Sequence, residues 1–138
     1  MTNYTIISRF RNKEQCEYLV SKIREKGKTC YNFCDKPADP HNPEAHPEEQ
    51  MKAFESVKDF FSDEYFRHIF ETDLKGLKEA ESVILLLPAG TSAHIEAGIA
   101  YGLGKELILI GQPEKPETLY LIFNKRFDTI EEFLKSIS

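Results

Sequence analysis

Residues 82–110 read SVILLLPAGTSAHIEAGIAYGLGKELILI, and this stretch decides the fold class. It begins with an apolar run, SVILLL (82–87), and ends with a second one, ELILI (106–110). Apolar runs without polar alternation are typical of strands in a parallel sheet that is covered on both faces. The residues between them predict a helix, and a strand–helix–strand unit with short connections has a right-handed crossover. The stretch therefore indicates an α/β protein.

The rest of the chain continues this alternation of strands and helices. The predicted elements are a strand at 4–8, a helix at 13–26, a strand at 29–34, and helices at 48–61 and 63–80. Residues 118–123 fit either a strand or a short helix, and a last helix follows Asp128 or Thr129 as its cap. This order predicts a three-layer sandwich, doubly wound, with about five mostly parallel strands of the flavodoxin or Rossmann kind. With 138 residues, we expect a single domain over 1–138.

Composition and charge exclude several classes of partner. The net charge of −5 leaves no basic surface that would favour nucleic acid or an anionic membrane. No apolar run reaches the roughly 18 residues that a membrane-spanning helix needs, and residues 1–11 lack the apolar segment of a signal peptide. We therefore expect a cytoplasmic protein. The three cysteines (Cys16, Cys30 and Cys34) suit a reducing compartment, where packing thiols are expected rather than a disulfide.

A proline-rich stretch, DKPADPHNPEAHP (35–47), holds four of the seven prolines and no large apolar residue. A loop of this length within a compact domain is usually a lid, a binding loop or disordered. We expect it to border the cleft and to be more mobile than the core. His41 and His46 raise the alternative of a metal site. Because no second pair of ligands accompanies them, we expect solvated histidines and no metal.

One carboxylate interrupts an apolar stripe in the helix predicted at 63–80. The stripe has helical spacing and consists of Phe66, Ile69, Phe70, Leu74 and Leu77. Asp73 lies in the middle of this stripe, and a carboxylate on a buried face is rare unless a partner accompanies it. Two interpretations remain open. Asp73 is a structural hydrogen-bond acceptor or a helix cap, or the stripe lines a pocket and Asp73 faces a ligand.

The helix within the quoted stretch carries two glycines where alanine would favour the helix more. Gly98 and Gly102 share a stripe with Ile95, Ile99 and Leu103. We expect this stripe to pack on the sheet, with the glycines allowing the helix backbone to approach closely. Each glycine costs up to roughly 1 kcal/mol of helix propensity relative to alanine, so close packing is the reason expected for them.

A second carboxylate, Glu96, stands near the start of this helix. If Ser92 is the N-cap, Glu96 falls one position late for a capping box, and the helix dipole would favour its ionised form. Ligands of open α/β sheets bind beyond the carboxyl ends of the strands, where residues 90–93 enter the helix with free amide groups. We expect Glu96 and Asp73 to converge on one cleft there. Paired carboxylates are typical of glycosidic bond cleavage.

Residues 72–111 resemble the nucleoside 2-deoxyribosyltransferase family, including its nucleotide N-glycosidase relatives. The shared pattern is an Asp on a helix, an acid entering an apolar strand, a Gly/Ser/Thr turn, Glu-x-Gly-x-Ala, and Gly-Lys before the next strand. By this resemblance, Glu96 is the nucleophile that attacks C1′ of the sugar, and Asp73 is the acid that assists departure of the base. The turn that borders the sugar or its 5′ substituent consists of Gly90, Thr91 and Ser92.

The chain departs from the family pattern at the end of its first strand. Family members carry an aromatic residue and a small turn there, with a tyrosine that supports the active site. This chain has Ser8, Arg9 and Phe10 instead. His94, two residues before Glu96, has no counterpart in the pattern. By their positions, Ser8, Phe10 and His94 are predicted to contact the substrate.

Three functions are compatible with these residues. The first is cleavage or transfer at the N-glycosidic bond of a (deoxy)nucleoside or nucleotide through Glu96. The second is a non-catalytic nucleotide-binding or sensor module on the same fold, which the altered turn after the first strand favours. The third, cleavage of the nicotinamide glycosidic bond of NAD, is supported by fold-level likeness alone. The resemblance also implies a homodimer or larger homo-oligomer with active sites near the interface, and no organic cofactor.

Overall fold

The structure, a computed structural model, describes residues 1–138. Its five strands are β1 (Thr2–Ile7), β2 (Cys30–Asn32), β3 (Ala80–Leu86), β4 (Glu106–Ile110) and β5 (Lys125–Phe127). Its five α-helices are α1 (Lys13–Glu25), α2 (Pro47–Glu55), α3 (Glu64–Glu79), α4 (Thr91–Gly102) and α5 (Ile130–Ser136). None of these helices combines the length and the apolar composition that crossing a membrane requires.

All five strands pair in parallel, in the order β2–β1–β3–β4–β5. The chain starts near the middle of the sheet, adds β2 on one side, and then builds β3, β4 and β5 on the other. This is the doubly wound arrangement that the sequence predicts, and the fold class is confirmed. The order reverses between β1 and β3, so that the segments leaving these two strands separate and open a crevice.

The central strands bury side chains on both faces, which explains their lack of polar alternation. On β3, Ile84 and Leu86 face the layer that contains α1 and α5, whereas Val83 and Leu85 face the layer that contains α3 and α4. The first layer also holds the three cysteines as buried free thiols, as predicted. Each fully buried aliphatic side chain of this kind stabilises the fold by about 1.5–3 kcal/mol.

Several predicted elements are shorter than expected. The strand predicted at 29–34 ends at Asn32, because the side chain of Asn32 accepts a hydrogen bond from the Cys34 amide and a 3₁₀ turn follows at Phe33–Asp35. The helix predicted at 48–61 ends at Glu55, and a separate 3₁₀ turn occupies Phe60–Ser62.

The C-terminal part contains an unexpected strand. The ambiguous segment 118–123 forms a 3₁₀ helix, Thr118–Ile122, and the fifth strand is Lys125–Phe127 instead. This strand lies at the edge of the sheet and two of its three residues are exposed, so it carries no apolar pattern that could have been read. The predicted cap of the last helix is confirmed, since Thr129 accepts a hydrogen bond from the Glu132 amide.

The prediction for the faces of α4 is wrong. The helix packs on the sheet through Ala93, Ala97 and Ala100, all of which are buried. Gly98 and Gly102 face outward instead, and a Cβ at either position would meet no atom within 4 Å. Alanine is small enough to bring this helix close to the sheet. Close helix–sheet packing therefore does not explain the two glycines.

A different helical glycine does allow close packing. Gly76 is buried in α3, and a Cβ added there would lie 2.9 Å from an atom of the Tyr31 ring. A glycine inside a helix costs about 1 kcal/mol relative to alanine. In α3 the glycine leaves space for the Tyr31 ring, which reaches the helix from β2.

We expect Gly76→Ala to lower the free energy of unfolding by about 1–3 kcal/mol, because the added methyl group overlaps the Tyr31 ring. In a Tyr31→Ala background the same change should be neutral or should stabilise by up to about 1 kcal/mol, since only helix propensity remains. Urea denaturation of the four proteins in this double-mutant cycle measures both values. An equal loss in the two backgrounds would mean that the ring is not the reason for the glycine.

Candidate active site

A cavity of about 430 Å³ opens where β1 and β3 end. Its walls come from the residues after β1, the turn and loop after β2, the facing sides of α2 and α3, and the first turns of α4. Both candidate carboxylates, Asp73 of α3 and Glu96 of α4, line this cavity. The structure therefore brings together, at the carboxyl ends of the central strands, the two groups that interrupt the apolar pattern.

Most of the predicted substrate-binding residues lie around the same space. Those that line the cavity are Ser8, Phe10, Gly90, Thr91 and Ser92. His94 does not line it; this side chain faces a neighbouring cavity of about 670 Å³ beyond the ends of β3 and β4. Arg9 lines both cavities and stands between them.

Glu96 lies in the second turn of α4, because the N-cap is Gly90 rather than the predicted Ser92. The expected stabilisation of its ionised form by the helix dipole is therefore wrong, since that effect is confined to the first turn. Burial, and to a lesser extent the charge of Asp73, raise the pKa of Glu96 to about 8. Glu96 is thus a carboxyl group without a cationic partner that is mostly protonated at neutral pH.

Both interpretations of Asp73, a structural hydrogen-bond acceptor and a group that faces a cavity, apply in the structure. Its Oδ1 accepts a hydrogen bond of 2.9 Å from the Tyr31 hydroxyl and lies 3.6 Å from Nζ of Lys36. No hydrogen bond from the chain reaches its Oδ2. Burial raises the pKa of Asp73, and the hydrogen bond from Tyr31 and the charge of Lys36 oppose that increase. Asp73 is therefore a structural acceptor through one oxygen while its carboxyl group still lines the cavity.

The apolar stripe of α3 does line a pocket. A second, smaller space of about 230 Å³ lies between α3 and α4. Its apolar lining includes the whole stripe: Phe66, Ile69, Phe70, Leu74 and Leu77. Asp73 and Glu96 line this space as well. The two carboxylates are therefore approached from two sides, the larger cavity and the gap between the helices.

Two residues at this site, Tyr31 and Lys36, escape prediction from the sequence. Tyr31 falls in a predicted strand and Lys36 in the proline-rich loop, and both are far from Asp73 along the chain. One signal could have indicated Tyr31. Gly76, three residues after Asp73, is a glycine on a buried helix face, and such a residue suggests that a large side chain crosses the helix there. No comparable signal marks Lys36.

Ser8 lies at the rim of the cavity, and its side chain binds to the neighbouring backbone instead of facing a ligand. Its Oγ donates a hydrogen bond of 2.7 Å to the Leu86 carbonyl and accepts one of 3.3 Å from Nδ2 of Asn12. The first bond joins the end of β1 to the end of β3, and the second joins it to the start of α1. Phe10 is buried and belongs to the core cluster. Neither Ser8 nor Phe10 offers the hydroxyl group that the tyrosine supplies at this position in the family that residues 72–111 resemble.

The start of α4 presents groups that bind anions. The helix begins at Gly90 without a side-chain cap, so amide groups of its first turn are free to bind a ligand. Arg9 passes close to this point, since its Cβ would lie 3.9 Å from a Cβ added at Gly90. A helix N-terminus with an arginine beside it favours an anionic group at this corner of the cavity.

His94 connects α4 to the 3₁₀ helix Thr118–Ile122. Its Nδ1 lies 2.7 Å from the Gly90 carbonyl oxygen, and its Nε2 lies 2.8 Å from the Tyr120 hydroxyl. Because a carbonyl oxygen only accepts, Nδ1 donates, and Nε2 of the neutral ring accepts from Tyr120. These contacts account for His94 as a structural residue, outside the cavity that holds the carboxylates.

The proline-rich loop borders the cavity, with residues 36–38 in its wall. Gln50 of α2, only 1% exposed, holds the loop through three hydrogen bonds. Its side chain donates to the carbonyl groups of Pro43 and Ala45 and accepts from the amide of Asp39. The loop is thereby attached to α2. Its greater mobility relative to the core stays a prediction.

Two contacts hold α2 over the cavity. Arg11, just after β1, forms ion pairs with Glu48 at 2.7 Å and with Glu55 at 3.0 Å. His46 caps the start of the helix, since its Nδ1 accepts a hydrogen bond from the Glu48 amide. His46 is therefore an exposed helix cap, and His41 is exposed as well, as predicted.

Comparison with solved structures supports this fold. A 2-deoxyribosyltransferase from Bacillus psychrosaccharolyticus is similar with a TM-score of 0.64 and 18% identity, over 96% of this chain and 90% of that chain. A CMP N-glycosidase from Clostridium botulinum is similar with a TM-score of 0.52 and 19% identity, over 97% of each chain. No protein-family model and no curated protein sequence matches the chain. At this identity the likeness establishes the fold, and both proteins are of the kind that residues 72–111 resemble.

Burial of Glu96 makes its ionised form unfavourable in the folded protein. The pKa of about 8 exceeds the ordinary value of 4.5. Between these values the folded state keeps a proton that the unfolded chain releases, so this residue lowers stability progressively as pH rises from about 4.5 to about 8.

We therefore expect Glu96→Gln, which keeps the shape of the side chain, to raise Tm at pH 8 by about 3–8 °C. At pH 4 the two proteins should melt together, because Glu96 is protonated in both states. Thermal denaturation at the two pH values measures the difference. Glu79→Gln, at an exposed position near the end of α3, is the matched control and should change neither value. A difference of the same size at both pH values would contradict the raised pKa.

Proposed function

We propose that the protein cleaves or transfers at the N-glycosidic bond of a (deoxy)nucleoside or nucleotide, with Glu96 as nucleophile and Asp73 as the acid beside the base. One observation carries this proposal: two carboxyl groups in unlike environments line one cavity, Asp73 held by two partners and Glu96 held by none. Carboxyl groups whose environments separate their roles are typical of glycosidic chemistry. The likeness in fold to a 2-deoxyribosyltransferase and a CMP N-glycosidase supports the same class of reaction.

The proposed reaction is a double displacement. The proton that Glu96 holds at rest passes to Asp73, which lines the same cavity. An oxygen of ionised Glu96 then forms a bond to C1′ while the C1′–N bond breaks and its electron pair moves to the base. Asp73 supplies the hydrogen bond or proton that the base needs as this electron pair accumulates. Water or a second base then attacks C1′ and releases Glu96, which gives hydrolysis or transfer. Two inversions retain the configuration at C1′.

The environment of Glu96 suits this role once its proton is lost. A carboxylate in a partly water-excluded cavity interacts strongly with positive charge that develops on the sugar in the transition state. The absence of a cationic partner leaves the charge of Glu96 available to the sugar. The same burial that raises its pKa to about 8 therefore makes ionised Glu96 less stable relative to the transition state.

The corner formed by Arg9 and the first turn of α4 suits the 5′ substituent of the substrate. Free amide groups at a helix N-terminus and a guanidinium group both bind phosphate. We therefore place a 5′-monophosphate there in preference to a free hydroxyl. On this basis nucleotides should be better substrates than the corresponding nucleosides.

A non-catalytic nucleotide-binding module is the second candidate, and one observation favours it. The Ser8 hydroxyl forms hydrogen bonds with the Leu86 carbonyl and with Asn12. The turn at the end of β1 therefore offers no free side-chain hydroxyl to support Glu96. In that case the cavity would bind a nucleotide without breaking its glycosidic bond. Cleavage of NAD rests on fold-level likeness alone and belongs in the substrate panel as a comparison.

A turnover assay over nucleosides, their 5′-monophosphates and NAD tests the proposal. We expect release of free base from at least one nucleoside or nucleotide, and a loss on the order of 10³-fold or more in Glu96→Ala. A 2-fluoro-2-deoxy analogue with a good leaving group should label the wild type at Glu96, seen as a mass shift on its peptide. Glu79→Ala is the control and should keep the wild-type rate. Binding without turnover by the wild type would assign the sensor role, and wild-type turnover by Glu96→Ala would remove Glu96 from the reaction.

We also propose that the protein is a homo-oligomer that covers the gap between α3 and α4. Phe70 and Ile95 on the two sides of this gap are 59% and 60% exposed, so they form an apolar surface beside the two carboxylates. Gly98 lies on the same outward side of α4 with free space around it. A glycine there lets the backbone of a second copy approach closely.

Ile95→Asp should convert the oligomer to a monomer, because it places a charge in the covered apolar surface. Sedimentation velocity over a range of concentrations measures the change. Tyr18→Asp, at an exposed position on α1 in the opposite layer, should leave the assembly intact. A wild type that sediments as a monomer at all concentrations would contradict the proposal.

A further inference from the structure

Tyr31, Lys36 and Asp73 form a closed cluster with a defined direction of hydrogen bonding. Nζ of Lys36 donates to the Tyr31 hydroxyl oxygen and lies 4.8 Å from the centroid of its ring. Because an ammonium group only donates, the Tyr31 oxygen accepts from it and directs its own proton to Oδ1 of Asp73 at 2.9 Å. Both partners therefore bind the same oxygen of Asp73.

Separate elements of the fold place the members of this cluster. The Tyr31 ring reaches Asp73 across Gly76, one turn further along α3, where a Cβ would overlap it. Lys36 is held by the loop, since the Tyr65 hydroxyl donates a hydrogen bond of 2.6 Å to the carbonyl of Pro37. The side chains of Lys36 and Asp73 are each only 19% exposed. Such a constrained and half-buried arrangement differs from a surface ion pair, whose partners are mobile.

We propose that Tyr31 and Lys36 are positioning residues for Asp73, which they hold through Oδ1 so that Oδ2 is presented to the leaving base. This inference rests on the proposed function, because it assigns the cluster to the step in which the base departs. Lys36 supplies the positive charge that compensates the buried carboxylate of Asp73, and Tyr31 fixes the plane of that carboxyl group. The pair acts on the substrate only through Asp73.

The charges around Asp73 agree with this assignment. The titratable and charged groups near Asp73 or on its cavity are Arg9, Arg11, Tyr31, Asp35, Lys36, Glu55, Tyr65, His68 and Glu96. Among these, Tyr31 and Lys36 have the largest effects that lower the pKa of Asp73. Burial and the charge of Asp73 raise the pKa of Tyr31, so its hydroxyl stays a proton donor. Loss of either partner should therefore raise the pKa of Asp73.

Tyr31→Phe and Lys36→Met test the proposal, because Tyr31→Phe keeps the ring on Gly76 and so preserves the packing. Both variants should lower kcat by about 10–100-fold on a substrate with an unactivated base. On an N-alkylated, cationic nucleoside of the same base class, the base departs neutral and needs no proton, so both rates should stay within about 3-fold of wild type. Lys36→Arg, which keeps the charge, should recover part of the loss.

Tyr4→Phe, whose ring lies on the neighbouring strand, and Lys75→Met, at an exposed position on α3, are the matched controls and should change neither rate. An equal loss on both substrates would indicate a merely structural pair and would overturn the assignment.

Titration of the Asp73 carboxyl carbon by NMR provides a readout that does not require turnover. Its pKa should rise in both variants and stay unchanged in both controls. If no substrate is turned over, the proposed function fails while this titration still decides whether Tyr31 and Lys36 govern Asp73. If substrate is turned over but the titration and the leaving-group dependence do not change, the positioning role fails alone.

Discussion

Along β1 and β3, five residue pairs from Thr2 and Ala80 to Ile7 and Leu85 stand in parallel register, so the two strands end side by side. The hydrogen bond from Ser8 to the Leu86 carbonyl continues this alignment beyond the last pair. Both strands are buried on two faces, and a shift of one residue would exchange the two apolar layers. The segments that leave β1 and β3 therefore separate at a single point, and every wall of the candidate site is built around it.

The site places two carboxyl groups on one cavity, and the protein treats them differently. Asp73 receives a tyrosine from β2 and a lysine from the loop that follows it, whereas Glu96 receives no compensating group from any neighbouring element. A uniform environment would make the two groups compete for one proton. The unequal environment separates their protonation states before any substrate binds.

Prediction from the sequence succeeded where a local pattern carries the information. The central strands are apolar runs, and Asp73 and Glu96 stand out as acids within apolar segments. It failed for α4 because alanine, glycine and isoleucine make both faces of this helix apolar, so periodicity does not say which face meets the sheet. It also missed Tyr31 and Lys36, whose contact with Asp73 depends on the path of a loop across α3. That path is a property of tertiary packing, not of local sequence.

The smaller gap between α3 and α4 gives Asp73 and Glu96 a second entrance, which would matter for the proposed reaction. In a glycosyl-transfer reaction, the departing base occupies the main cavity and blocks that route to the covalent intermediate. A second route lets solvent reach the sugar while the first product is still bound, which favours hydrolysis. Closure of the same route reserves the intermediate for an acceptor that exchanges with the departed base. The ratio of hydrolysis to exchange would then be set on the outer surface of two helices, by whatever packs against their apolar side chains.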